Sequence, residues 1–109
     1  MQDDNHLVAS LDVVEVTASD TRIPIRIEIG QPHLDGRGAW ACPILLRGVD
    51  DTTRNIYGEN SLQALCLALH MIRAQLEGVL ERGSRLFHAE GDTDFPLDAY
   101  FQRISDGDA

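Results

Sequence analysis

The chain of 109 residues contains no lysine; all nine of its basic residues are arginine. That excludes Schiff-base catalysis and the phosphate-gripping lysine of a P-loop. There are only two cysteines, Cys42 and Cys66, too few for a disulfide framework. They read as reduced and mostly buried thiols. Six aromatic residues are too few for a stacking platform that binds single-stranded nucleic acid. The longest clean apolar run, Leu65-Cys66-Leu67-Ala68-Leu69, stops at His70. A bilayer span needs about 20 such residues. The opening Met1-Gln2-Asp3-Asp4-Asn5-His6 is acidic and polar, unlike the positive and then apolar start of a secretory signal. The expected address is the cytoplasm. The motifs Gly-x-Gly-x-x-Gly, Gly-x-Ser-x-Gly and His-Glu-x-x-His do not occur.

What is present is ordinary globular composition, 43% hydrophobic and 25% charged, in a chain sized for one domain. We take residues 1–109 as that domain, with an ordered core over about 7–104. The charge is uneven. Residues 1–20 hold five acids and no arginine; residues 21–89 hold seven acids and eight arginines; residues 90–109 hold six acids and Arg103 alone. The net charge of −9 opposes contact with phosphate backbones. Arg22, Arg26, Arg37, Arg47 and Arg54 fall near one another in a coarse map, but nucleic acid is not an expected partner.

Residues 22–29 place Ile23, Ile25, Ile27 and Ile29 on one face and Arg22, Pro24, Arg26 and Glu28 on the other. Period two with β-branched residues predicts a half-buried strand. Residues 8–17 form the strand before it, joined through the short link 18–21. A loop follows over 30–38, turning at Asp35-Gly36. The next strand is 39–47, a turn is expected at Asp50-Asp51-Thr52-Thr53, and a short strand at 54–57. Short sequential links favour an antiparallel meander.

A long helix is then expected to about Arg82, with Asn60 as its cap, Gln63 reaching back, and Gly83 as the stop. Leu62, Leu65, Leu69, Ile72, Leu76 and Val79 recur at helical spacing as its core stripe. Ala64, Leu67 and Met71 fall on the opposite side, which predicts a second cover: residues 96–104 or another subunit. A fifth strand at 85–89 and a short helix opening at Pro96 complete an α+β fold. That fold is an antiparallel meander of four to five strands packed against one long helix, with a short C-terminal helix. In the C-terminal helix Leu97, Tyr100, Phe101 and Ile104 share a face.

Few residues suggest chemistry. Cys66 and His70 stand at i, i+4 with Cys42 on a strand, but zinc wants three or four ligands in tetrahedral array. No metal and no cofactor is expected. His33 and Asp35 share a Gly-flanked loop, where a carboxylate orienting a histidine makes a general base; no nucleophile accompanies them, and no catalytic residue is assigned. Glu90, Asp92 and Asp94 alternate without the spacing a calcium loop requires. With Asp98 they are instead a candidate acidic surface.

Trp40-x-Cys42-Pro43-Ile44, followed by Tyr57-Gly58-x-Asn60-Ser61-Leu62-Gln63-Ala64-Leu65, resembles a family of small bacterial domains of unknown function. Its members join a Trp-x-Cys strand to a Tyr-Gly-x-Asp-Ser-x-Gln-Ala-Leu helix start. The resemblance spans residues 22–90. Asn60 stands where the pattern has Asp, a change that preserves capping. It implies the fold unit and carries no activity.

The expected function is a non-catalytic interaction domain that forms a homodimer through Ala64, Leu67 and Met71. Two other classes remain beside it. One is an acidic immunity-type or inhibitor protein covering a basic partner. The other is a small enzyme with a site near His33, Asp35 or His70.

Overall fold

The computed structural model describes residues 7–91 and 93–101. It is an α+β fold. The strands are β1 (Leu7–Val16), β2 (Arg22–Gly30), β3 (His33–Leu34), β4 (Trp40–Arg47), β5 (Asp50–Gly58) and β6 (Arg85–His88). The helices are α1 (Ser61–Glu81) and α2 (Leu97–Tyr100). All pairings are antiparallel. β5 runs along the whole of β4, so β2 and the two-residue β3 share the other edge of β4. The sheet therefore reads β5–β4–β2–β1–β6. The first four long strands form the expected meander, and β6 joins the edge of β1 after α1 has crossed the sheet.

The isoleucine alternation of β2 works as expected: Ile25, Ile27 and Ile29 are buried and stand opposite Val13, Leu11 and Ala9. Cys42, Ile44 and Leu46 continue the same face across β4. The turn between β4 and β5 comes earlier than expected, at Gly48-Val49. Gly48 adopts φ +94 against the backbone of Pro24, a conformation only glycine takes without strain. Asp51 then accepts the Gly48 N–H at 2.9 Å, and β5 lengthens to nine residues.

The core stripe of α1 is the main correction. Ala64, Ala68, Ile72, Leu76 and Val79 are buried, while Leu62 and Leu69 are exposed. Ala64 is thus a core residue and not part of an outer face. The reason is steric. A Cβ on Gly58 would meet the Ala64 nitrogen at 2.6 Å, so the helix start lies against β5 at a distance only small residues permit. The alanines face inward, and the leucines beside them turn out to solvent.

α2 begins one residue later than expected, with Pro96 in the capping position. Leu97 is buried and Phe101 packs on the core, but Tyr100 is exposed. Ile104 lies outside the described residues. Among the described residues no helix is long and apolar enough to cross a membrane.

Candidate functional site

Gly58, Asn60 and Gln63 are accounted for by how α1 starts. The Asn60 side chain accepts the Gln63 N–H at 2.8 Å, and the Gln63 side-chain oxygen accepts the Glu59 N–H at 2.6 Å. These bonds satisfy amides that a helix start otherwise leaves open. Together with the close approach of Gly58 to Ala64, they make this stretch a folding device.

The low-lying candidates separate. Asp35 accepts from the Arg37 N–H at 2.7 Å and the Ala39 N–H at 3.1 Å, which is an Asx-turn role. His33 Nδ1 stands 3.4 Å from the Gln31 carbonyl and is exposed. His33 thus sits in β3 and not in the expected loop, Asp35 serves the turn after it, and the two side chains are not hydrogen-bonded to each other. His70 sits exposed on α1. Cys42 is fully buried, its thiol donating to the Gly30 carbonyl at 3.5 Å, and desolvation pushes its pKa up. Cys66 is exposed, contrary to the expectation of a buried thiol. Among the described residues no group of three or more His, Cys, Asp or Glu could hold a metal ion.

The suspected arginine patch is largely neutralised. On the outer face of the sheet, Arg26 bonds Asp12 at 2.9 Å and Glu28 at 3.1 Å, and Arg47 reaches Glu28 at 3.5 Å. Hydrogen bonds to Glu28 and then Asp12 hold the Arg26 guanidinium more firmly protonated. Arg54 pairs with Asp50, and that hydrogen bond draws the Asp50 carboxyl below its ordinary range. Arg22 and Arg85 lie over the Phe87 ring at 5.8 and 4.9 Å.

The acidic surface is also partly consumed. Asp98 bonds Arg73 at 2.6 Å, and Arg73 further binds Glu77 and the Phe101 carbonyl. This ties α2 to α1. Glu15 is buried and accepts from Ser84 at 2.7 Å and Arg82 at 3.1 Å, which ties the end of α1 to β1. Asp92 lies outside the described residues. Glu90 and Asp94 are exposed.

What remains open is apolar. Leu62 is 68% exposed, Leu67 42% and Met71 40%, with Leu69 and Leu80 also exposed. They lie on the two flanks of α1, Leu62, Leu69 and Leu80 with Cys66 on one and Leu67 and Met71 on the other, with exposed Gln63 and His70 between them. Sequence periodicity pointed to Leu67 and Met71 but assigned Leu62 and Leu69 to the core.

A family model described as "Domain of unknown function (DUF6968)" matches residues 13–98, a span that includes both stretches carrying the resemblance noted above. No curated protein and no solved structure matches the chain.

Proposed function

The chain belongs to the DUF6968 family of domains of unknown function, and from that premise we propose that it is a non-catalytic interaction domain that works as a homodimer. The observation that carries this reading is the outer face of α1. A surface helix in a two-layer fold is ordinarily polar on its solvent side. Here Leu67 and Met71 stand exposed one turn apart on the same flank of α1, and exposed apolar surface of this kind marks association sites. Between Ser61 and Gln75 that helix carries a single charged residue, Arg73, which is held by Asp98 and Glu77. The exposed part of that stretch therefore presents no charge that self-contact would have to desolvate.

Light scattering should give a mass near twice 12.1 kDa. Leu67→Glu and Met71→Glu should each return the monomer with the fold retained, because an unpaired charge in a buried interface is strongly unfavourable. A wild-type chain that stays monomeric at high concentration overturns the reading.

A further inference from the structure

Among the described residues several stretches of strand lack a neighbour on one side, and three of them are treated differently. The outer edge of β5 is lined by exposed Asp51, Thr52, Thr53, Arg54 and Asn55, and charge on an edge strand discourages pairing. The outer edge of β6 is closed by its own chain. His88 donates its N–H to the Thr93 carbonyl, and the Leu86 carbonyl accepts from the Phe95 N–H, both at 2.9 Å.

The third is β1, which pairs with β6 only over Val13–Val16. Residues 7–12 have β2 on one side and no described strand on the other. They are Leu7-Val8-Ala9-Ser10-Leu11-Asp12, a β-forming run with one charged residue, Asp12, which bonds Arg26 through Oδ2 while its side chain stays about half exposed. It has neither proline nor lysine to blunt it.

The direction of the backbone follows from the hydrogen bonds of β6. Leu86 and His88 turn their amide groups outward, so Arg85 and Phe87 turn theirs toward β1. Val16 and Val14 oppose them and face back. Alternation along the strand then brings the N–H and C=O of Ser10 to the same edge, beyond the end of β6. A groove lies there, lined by Ser10, Leu11, Asp12, His88, Glu90 and Thr93 among others.

From this geometry we infer that the open edge of β1 accepts an extended segment of a partner protein by strand addition, with a basic residue leading the segment. The lane continues that of β6, so an antiparallel guest enters beside Ala89 and Glu90 and runs toward Leu7. Its first paired residue meets Asp12 and Glu90, the two carboxylates lining the groove. An arginine or lysine there complements them, in a chain of net charge −9. The next residue shares the core-side face with Leu11 and is apolar; the third stands beside Ser10 on the outer face. Backbone bonds supply the binding and the alternate side chains the selection.

The probe is the synthetic peptide Arg-Val-Thr-Val-Thr, with Glu-Val-Thr-Val-Thr as control, titrated into the full chain and followed by amide NMR. Shifts should centre on residues 8–12 and on His88 to Glu90. The Glu-led peptide should bind about tenfold more weakly, and added salt should narrow the difference. Ser10→Pro removes the outward N–H and should abolish binding while leaving the α1 face and self-association unchanged. Glu90→Arg, at an exposed site that leaves the fold intact, should reverse the preference between the two peptides. The inference is overturned if the Arg-led peptide fails to bind, if binding survives Ser10→Pro, or if both peptides bind equally. It is overturned equally if Ser10→Pro dissolves a dimer, which would give the edge to a second copy. Failure of self-association through Leu67 and Met71 leaves these outcomes untouched.

Discussion

Gln63 is spent on the start of α1, as its place in the cap predicts. Its side chain satisfies the Glu59 amide while Asn60 satisfies its own. Asn60→Ala should cost roughly 0.5–2 kcal/mol of stability, with Gln63→Ala costing less, as read by urea unfolding. Gly58→Ala should destabilise as well, because its Cβ would meet the Ala64 nitrogen at 2.6 Å. The two thiols should also separate cleanly. Ellman's reagent should label Cys66 at once in the folded monomer and Cys42 only on unfolding, since one is exposed and the other buried. Burial raises the Cys42 pKa, so the folded state holds the neutral thiol. That contribution to stability is intact below the ordinary thiol pKa and is lost as pH rises through the raised folded value.

At the scale of elements, α1 is apolar on both sides at its first half, and this is where periodicity fails. Leu62, Ala64, Leu65, Leu67, Ala68 and Leu69 leave several stripes of similar hydrophobicity. The inward one is chosen by size: only Ala64 and Ala68 fit against β5 and the sheet. A pair of substitutions tests the assignment. Leu76→Ala, at a fully buried site, should cost about 2–5 kcal/mol. Leu62→Ala, at an exposed one, should stay within about 0.5 kcal/mol of wild type in the monomer. Equal losses at both would show that the helix sits the other way round. In the second half Ile72, Leu76 and Val79 read correctly, because polar Gln75 and Glu77 flank them and leave a single apolar stripe.

At the scale of the whole molecule, opposite charges distant in sequence are brought together. The acids counted at the two ends of the chain meet arginines from the middle: Asp12 with Arg26, Glu15 with Arg82, and Asp98 with Arg73. Of the acids expected to form a surface, Asp98 is paired with Arg73, while Glu90 and Asp94 are exposed. Asp98→Asn should loosen α2, seen as faster amide exchange at residues 97–101, while the sheet keeps its protection. No change in exchange would mean that the aromatic contacts of Phe95, Tyr100 and His88 hold α2 without the ion pair.

The amino-acid sequence by itself determined the elements. Strand alternation in β2, the Asn60 cap and the stop at Gly83 act within a few residues, and local backbone preference is sufficient to set them. It also determined the α+β class and the meander, because short links leave few topologies. Tertiary structure alone decided which face of α1 is buried, where β4 turns into β5, which acids pair with arginine, and that the first half of β1 has no strand beside its second edge among the described residues. Each of these depends on the distance between groups far apart in the chain: a glycine against an alanine, a carboxylate against a guanidinium, a strand that ends before its neighbour does. Periodicity along the sequence has no term for such distances.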